Sequence, residues 1–441
     1  MLLNLVYSLA LLTLWPYFLY HAVLHGKYRE HWREKFLGAA PQMPTSACGR
    51  PRVWFHAVSV GEVNLLKTLI ARLNANELHW DFVVSTTSKT GYDLARRLFA
   101  HSCEVFYCPL DFTWAVKRAL RRVKPDALVL IELELWPNLI KYAHKRNVPV
   151  VVVNGRISER SFRSYHRVRA LLAPTFARLA LVIAQDDLAR DYFQKLSPRP
   201  ERVLVSGSIK FDGASTDRNA EPTARLRELL RVLPEDVVYL CGSTQAPEEE
   251  GALEVYRRLY RDYPNLRLFI VPRHPERFEQ VAQLLNASGL PWTRRSQLQA
   301  PLSAQTPNVD RNDDPTRIVL VDVMGELSAL WGVAQLAFVG GSWGSRGGQN
   351  MLEPAGYGVA VSFGENTRNF RTIVESLLRA DAAVVVRDVE ESFRFVKTCL
   401  DQPEYARQLG QRAQELVLAN QGAADFTLKA LQDLLAHGNQ S

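Results

Sequence analysis

The feature that most constrains the fold is the alternation of short apolar segments with amphipathic segments of helical length. In the first half of the chain, runs of Val, Ile, Leu and Phe predict strands, and the segments between them predict helices. Short strands separated by helices of about 10–15 residues are typical of parallel βαβ units. The predicted strands are residues 52–57, 82–86, 127–131, 150–153 and 181–184, and the predicted helices are residues 60–73, 91–99 and 135–144.

The same alternation starts again after a polar segment at residues 212–222. Residues 287–316 are rich in Ser, Pro, Asn and Asp and predict a long surface excursion. The predicted strands of this half are residues 237–241, 266–271, 318–321 and 336–339, and the predicted helices are residues 248–260, 275–285, 327–331 and 351–356.

The chain has 441 residues, which is too long for one ordinary hydrophobic core. The sequence therefore predicts an α/β protein with two doubly wound, Rossmann-like domains, over residues 27–212 and 213–441, after an N-terminal segment of residues 1–26. Ligands of such sheets bind outside the carboxyl ends of the strands. We therefore expect the site in a cleft between the two domains.

Charge and cysteine content narrow the possible functions. The chain has 54 Lys and Arg against 46 Asp and Glu, and the net charge of +8 suits an anionic surface or phosphate groups. No single helix concentrates that charge, which argues against nucleic-acid binding. The five cysteines are odd in number and scattered, so the sequence predicts a reduced, cytoplasmic protein without a disulfide framework.

The first residues predict a membrane anchor. Residues 1–24 contain no Asp, Glu, Lys or Arg, and a helix of that length reaches about 35 Å, enough to cross a hydrocarbon core. Basic residues follow directly, from Lys27 to Lys35, and such flanks stay in the cytoplasm. A cleaved signal peptide fits poorly, because no basic residue precedes the apolar run. Residues 1–26 are expected either to span the membrane or to lie in its interface.

Three predicted strands of the first half are followed by charged side chains. Glu62 lies in the first turn of a helix. Its carboxylate either only interacts favourably with the helix dipole or acts as a general base. Glu132 and Glu134 directly follow an apolar strand, and carboxylates are rarely buried without partners, although helix N-terminal charge is an alternative. Residues 154–161 and Lys210 offer cations for phosphate or carboxylate.

The second half carries motifs suited to an anionic ligand. Arg273 follows a strand and precedes a helix, where an anion would bind the helix N-terminus. Residues 322–327 lie at the equivalent place after the next strand. Residues 340–354 begin with a Gly-rich turn whose N–H groups could cradle phosphate, although glycines that serve only a tight turn are the alternative. The turn is neither a dinucleotide fingerprint nor a P-loop, and no Asp-Xaa-Asp is present to bind a metal diphosphate.

Together these segments resemble the 3-deoxy-D-manno-octulosonic acid (Kdo) transferases of lipopolysaccharide synthesis. They appear in the order of that family and cover nearly the whole chain. The resemblance implies the glycosyltransferase B fold, CMP-Kdo as donor, a lipid A precursor as acceptor, inversion at the anomeric carbon, and no metal or other cofactor. The apolar run and its basic flank predict attachment to the inner, cytoplasmic membrane with the catalytic domains on the cytoplasmic side. The matching segments are residues 56–62, 132–138, 154–161, 207–212, 242–244, 272–275, 325–327 and 340–354.

The resemblance also implies roles for particular residues. Glu62 resembles the catalytic base of the family, and Glu132 and Lys210 match positions that stabilise the transition state. The residues that match CMP-binding stretches are Pro272, Arg273, Gly325, Glu326, Leu327, Asn350, Met351, Leu352 and Glu353.

Three departures from the family pattern concern donor binding rather than the base. Gln349 stands where the family usually has His, and Leu133 replaces a usual Thr between the two acids. Residues 245–247, Gln-Ala-Pro, interrupt the Gly-rich start that usually follows residues 242–244.

The expected chemistry follows from these groups. A sugar hydroxyl is a poor nucleophile, so a carboxylate must accept its proton, and a single displacement with one base inverts configuration. Arg273 and the main-chain N–H groups of the Gly-rich turn are expected to stabilise the leaving phosphate, and Lys210 to meet either that phosphate or the carboxylate of Kdo. The alternatives are a UDP-sugar glycosyltransferase or epimerase, and a catalytically silent membrane-bound binding protein.

Overall fold

The computed structural model describes residues 2–25, 31–44, 49–298 and 314–438. The chain forms two compact units, of which the first comprises the described residues of Met1–Asp212 and Gln421–Ser441 and the second comprises those of Gly213–Asn420. Each unit contains one seven-stranded sheet whose strands all pair in parallel.

The first unit contains strands β1 to β7 and helices α1 to α10. Its strands are β1 Arg52–His56, β2 Asp81–Thr86, β3 Glu104–Tyr107, β4 Ala127–Ile131, β5 Val150–Gly155, β6 Leu179–Ala184 and β7 Val203–Val205. Its helices are α1 Leu2–His25, α2 Trp32–Leu37, α3 Val60–Ala75, α4 Lys89–Phe99, α5 Thr113–Val123, α6 Pro137–His144, α7 Glu159–Arg167, α8 Arg169–Phe176, α9 Asp187–Leu196 and α10 Ile209–Asp212.

The second unit contains strands β8 to β14 and helices α11 to α18, and the last helix, α19, belongs to the first unit. The strands are β8 Val237–Thr244, β9 Leu266–Pro272, β10 Thr293–Arg294, β11 Ile318–Leu320, β12 Leu336–Val339, β13 Ala360–Phe363 and β14 Ala383–Val385. The helices are α11 Glu221–Leu229, α12 Glu248–Leu259, α13 Phe278–Ala287, α14 Leu327–Leu330, α15 Leu352–Gly356, α16 Arg371–Arg379, α17 Val389–Asp401, α18 Pro403–Ala419 and α19 Ala423–Gly438.

The predicted α/β class with two doubly wound sheets is confirmed. The strand order is β3-β2-β1-β4-β5-β6-β7 in the first sheet and β10-β11-β9-β8-β12-β13-β14 in the second. Every residue of β1, β4 and β5 is buried, because helices cover both faces of the sheet. Successive residues of β1 therefore enter opposite layers: Trp54 packs in one apolar cluster and Phe55 in the other.

Two of the predicted segments that differ from the structure lie in the second unit. The helix predicted to begin at Pro275 begins at Phe278 instead, because Pro275–Arg277 forms a separate 3-10 turn. The predicted surface excursion contains the short strand β10 and a 3-10 turn at Arg295–Gln297, while residues 299–313 lie outside the described residues.

The end of the chain returns to the first unit, so the expected second domain of residues 213–441 ends at Asn420. Leu428 and Leu431 of α19 are buried in the same apolar layer as α3. The carboxylate of Asp212 accepts hydrogen bonds from the N–H groups of Gly422 (2.6 Å) and Ala424 (2.9 Å). One carboxylate at the end of α10 thus fixes the start of α19. A negative charge is favourable there because it lies at a helix N-terminus.

Helix α1 is fixed to the first unit by polar side chains near its start. The Asn4 side-chain oxygen accepts hydrogen bonds from the N–H (3.2 Å) and hydroxyl (3.0 Å) of Thr113, and the Tyr7 hydroxyl donates to Asp111 at 3.0 Å. Leu5, Leu9 and Leu12 are 65%, 64% and 71% exposed. Within the described ranges, no helix has both the length and the apolar character needed to cross a membrane.

Candidate active site

Each sheet has a central position where the strand order reverses direction. In the first unit this switch point lies between β1 and β4, and in the second it lies between β8 and β12. Loops leave the carboxyl ends of two such strands in opposite directions, which opens a crevice for ligands. Glu62 and Glu132 follow the two strands of the first switch point, and the Gly-rich turn follows one strand of the second.

Glu62 is held in a capping box at the start of α3. Ser59 is the N-cap residue, and its hydroxyl accepts from the N–H of Glu62 and donates to the Glu62 carboxylate at 2.8 Å. The other carboxylate oxygen accepts from the N–H of Val58 at 2.7 Å. Glu62 is only 7% exposed. The helix-terminal interpretation of this residue is therefore correct as local structure, and it leaves a carboxylate fixed at the switch point.

Three carboxylates influence one another at this position. Burial raises the pKa of Glu62, and the nearby Glu132 raises it further, against the hydrogen bonds from Val58 and Ser59. Burial also raises the pKa of Glu134 to about 7, with a further contribution from Glu62. A carboxylate with a raised pKa is a better proton acceptor when it is ionised, which is the property that a general base needs.

Lys210 supplies positive charge to the same group of residues. Burial lowers the pKa of Lys210 and Arg156 lowers it further, whereas Glu132 acts in the opposite direction. Glu132 is thus an electrostatic neighbour of both Glu62 and Lys210. The structure brings together all three residues that were predicted to be catalytic, and it places Glu134 and Arg156, which the sequence also indicated, among their electrostatic neighbours.

Unusual backbone conformations mark the same edge of the sheet. Glu132 has φ 61° directly after β4, and Asn154 has φ 52° at the end of β5. Residues other than glycine rarely adopt a positive φ, and they keep it only where the surrounding contacts compensate the strain. The Asn154 side-chain oxygen accepts from the N–H of Ile209 at 3.0 Å and so holds α10, which carries Lys210.

In the second unit, the predicted donor-binding residues differ in how they are presented. Pro272 is buried at the end of β9, and the Arg273 side chain is exposed while its N–H donates to the carbonyl of Thr244 at 3.0 Å. Gly325 has φ 94°, a conformation that suits glycine. Glu326 forms an ion pair with Arg295 at 2.6 Å, and Leu327 begins α14.

The segment from Asn350 to Glu353 forms a local cap. The Asn350 side chain accepts from the N–H of Leu352 at 3.2 Å and donates to the Glu353 carboxylate at 3.1 Å. Met351 and Leu352 are fully buried, so their side chains belong to the core. Polar contact with a ligand in this segment is therefore expected from Asn350 and Glu353.

The hydrogen bonds in the first part of the Gly-rich turn contradict the prediction that all of its N–H groups cradle phosphate. The N–H groups of Gly341, Ser342 and Trp343 donate to the carboxylate of Glu248, at 2.8, 2.8 and 3.0 Å. These three groups are therefore occupied by the protein's own carboxylate and do not cradle phosphate. In the part of the chain that the structure describes, no hydrogen bond engages the N–H groups of residues 344–347.

A cavity of about 510 Å³ lies beside this turn within the second unit. Its lining includes the cationic side chains of Arg277 and Arg346, together with His274. Arg277 is held by Glu249, which is fully buried, at 3.0 Å. Sequence reasoning missed Glu248, Glu249 and Arg277. Three acids in succession from residue 248 were the available signal, because a helix that buries two adjacent carboxylates must provide partners for both.

Among the residues that the structure describes, no three His, Cys, Asp or Glu side chains are grouped so as to hold a metal ion. The charged groups of the two switch points are instead carboxylates, lysine and arginine. They are suited to moving a proton in the first unit and to binding an anion in the second.

Two parallel Rossmann-like sheets in one chain give this protein a fold of the glycosyltransferase B type. UDP-GlcNAc 2-epimerase from Neisseria meningitidis, solved with UDP-GlcNAc bound, shares this fold with a TM-score of 0.54 and 13% identity, over 87% of this chain and 100% of that one.

The sequence relatives are more specific. Residues 30–213 match the family model described as 3-deoxy-D-manno-octulosonic-acid transferase. The 3-deoxy-D-manno-octulosonic acid transferase of Haemophilus influenzae is 32% identical over 94% of this chain and 92% of its own length. The corresponding protein of Bordetella pertussis is 31% identical over 87% of both chains. The chain belongs to the 3-deoxy-D-manno-octulosonic acid transferase family.

Proposed function

We propose that this enzyme transfers Kdo from CMP-Kdo to a lipid A precursor by a single inverting displacement that needs no metal. The observation that carries this proposal is the buried carboxylate of Glu62 at the switch point of the first unit, with Glu132 as its electrostatic neighbour and Lys210 beside Glu132 in turn. Membership of the family supports the choice of sugar.

The reaction requires one proton acceptor. A hydroxyl oxygen of the acceptor forms a bond to the anomeric carbon of Kdo, and the bond between that carbon and the phosphate oxygen breaks. The electron pair of the broken bond leaves with CMP, and the proton of the hydroxyl passes to Glu62. The raised pKa of Glu62 suits this role, and the fixed capping box orients its carboxylate.

Positive charge must offset the charge that develops on the leaving phosphate. Arg273, together with Arg277 and Arg346 at the cavity, supplies this charge in the second unit, and the N–H groups of residues 344–347 add donors. Lys210 is assigned to the carboxylate of Kdo or to the phosphate. The nearby Glu132 favours the charged form of Lys210. The remaining predicted contacts to CMP are assigned to Gly325, Glu326, Asn350 and Glu353.

Helix α1 is assigned to the membrane. Leu5, Leu9 and Leu12 lie at helical spacings of four and three residues, so they share one face, and each is more than 60% exposed. An apolar face of this kind is stabilised by lipid. We place the enzyme on the cytoplasmic side of the inner membrane, where an anionic surface favours its net charge of +8.

The test is a transfer assay with a tetraacylated lipid A precursor, read by mass spectrometry and run in excess EDTA. CMP-Kdo should yield a lipid carrying added Kdo, whereas UDP-GlcNAc should yield no product. A requirement for Mg²⁺ or Mn²⁺ would contradict the metal-free mechanism, and turnover of UDP-GlcNAc alone would favour the epimerase-like alternative that the fold allows.

A further inference from the structure

Glu248 connects the two strands of the second switch point. It begins α12, directly after β8, and it is 1% exposed. One carboxylate oxygen accepts from the N–H groups of Ser342 and Trp343, which follow β12. The other accepts from Gly341 at 2.8 Å and from Gln245 at 2.9 Å. A single buried side chain thus accepts four main-chain hydrogen bonds from two loops.

Successive N–H groups that converge on one point normally form a site for an external anion. Here the anion is part of the protein, and the backbone has been built around it. A side chain at Gly340 would come within 2.8 Å of the Glu248 carboxylate and 2.7 Å of the Ser243 carbonyl. The glycine at this position is therefore required by the carboxylate and by β8.

The next residue is fixed from another direction. The Ser342 hydroxyl donates to the Val339 carbonyl at 2.7 Å and accepts from the N–H of Gly364 at 2.8 Å. Residues 340–343 consequently have little freedom, and the chain beyond them starts from a defined point. Residues 344–346 line the cavity that also contains Arg277, and the N–H groups of residues 344–347 make no hydrogen bond to any described residue.

We propose that Glu248 is a positioning residue for the donor site. It occupies the first N–H groups of the Gly-rich turn and thereby presents the following residues, 344–347, to the phosphate of the sugar nucleotide. The inference rests on the proposed function, because it assumes that CMP-Kdo binds the second unit. Four main-chain N–H groups offset the charge of the Glu248 carboxylate. The carboxylate therefore needs no cationic partner, and the nearby cations stay available for the phosphate.

The test compares E248Q with E250Q in the full-length protein. Glu250 lies two residues further along the same helix and is exposed, so it controls for the loss of one acidic charge. The glutamine at 248 keeps one acceptor oxygen and turns an amide NH₂ toward two N–H donors. We expect the Kd for CMP and the KM for CMP-Kdo to rise at least about tenfold, equivalent to ~1.4 kcal/mol. E250Q should match the parent.

A purely structural role would give a different pattern. If Glu248 positions the donor turn, E248Q raises the KM for CMP-Kdo while the KM for the lipid acceptor stays within about twofold. If Glu248 only stabilises the fold, E248Q lowers the Tm without this difference between the two KM values. If E248Q does not fold, E248D is measured instead, since it keeps the carboxylate but withdraws it by one methylene. Weaker CMP binding by E248D is then expected.

The outcomes separate the two proposals. A parent protein that binds no CMP overturns the donor site and this inference together. A parent that binds CMP, with E248Q or E248D binding it equally well, overturns only the role of Glu248.

Discussion

Glu134 shows how the chemistry of single residues affects stability in the first unit. Its carboxylate accepts from the Trp136 indole N–H at 3.1 Å, but burial and the neighbouring Glu62 raise its pKa from 4.5 to about 7. As pH rises, the unfolded chain therefore releases this proton before the folded chain does. The folded state loses stability relative to the unfolded state between about pH 4.5 and pH 7 because of this group.

We therefore predict that E134Q becomes more stable than the parent as pH rises. The neutral amide still offers an oxygen to Trp136 but carries no charge beside Glu62. The difference in Tm between E134Q and the parent should increase in favour of E134Q from pH 5 to pH 8 when both are followed by thermal unfolding. A difference that is the same at both pH values would show that Glu134 does not titrate in this range.

The side chain of Arg273 in the second unit can be removed with little structural effect. Its side chain is exposed, and the hydrogen bond to Thr244 is made by its main-chain N–H. R273A should weaken CMP binding by about 1.5–3 kcal/mol, the range for a hydrogen bond to a charged group, as measured by calorimetry.

R257A is the matched control for R273A. Arg257 is also exposed, but it lies in the last turn of α12, at the edge of the sheet opposite the strand ends. Equal CMP affinities for R273A and the parent would move the donor site away from Arg273. Equal losses in R273A and R257A would indicate a nonspecific effect of net charge.

At the scale of elements, α1 combines a docked end with an exposed apolar face. Asn4 and Tyr7 are hydrogen-bonded to Thr113 and Asp111, whereas the leucines at positions 5, 9 and 12 contact solvent. Deleting the helix would remove both features at once. Substituting the exposed leucines alone separates membrane binding from docking.

We predict that the triple variant L5E/L9E/L12E loses membrane binding and keeps its fold. Each leucine that leaves lipid costs about 1.5–3 kcal/mol, so binding to anionic phospholipid vesicles should fall at least about tenfold in cosedimentation. The Tm should stay close to that of the parent, because Asn4 and Tyr7 are retained. L188E, at an exposed leucine of α9, is the control and should bind vesicles normally. Undiminished binding by the triple variant would exclude this face as the anchor.

The sequence predicted the central elements better than the peripheral ones. β4 and β12 have the predicted bounds, because central strands of a parallel sheet are continuous apolar runs. Five strands were not predicted, and each is two to four residues long. Four of them are edge strands, β3, β7, β10 and β14, and the fifth, β13, pairs with the edge strand β14. Such short segments carry too little periodicity to be distinguished from loops.

At the scale of the whole molecule, both sheets place a buried acidic residue at the switch point. Glu62 follows β1 and Glu248 follows β8. Position after a strand was enough to predict Glu62 as a candidate. Glu248 could not be predicted in the same way, since its partners lie more than 90 residues further along the chain, at Gly341 and Ser342. The return of α19 to the first unit was missed for the same reason, because it depends on a contact with Asp212.

The central claim is that Glu62 accepts the proton of the acceptor hydroxyl, and Kdo transfer by E62Q tests it most directly. Glutamine can maintain the capping box with Ser59, so the Tm should be nearly unchanged, and CMP affinity should also be retained because the donor-binding stretches lie in the second unit. With CMP-Kdo and the tetraacylated precursor, we predict that kcat falls at least about 10²-fold. An E62Q protein that forms the Kdo-bearing lipid at close to the parental rate would contradict the account.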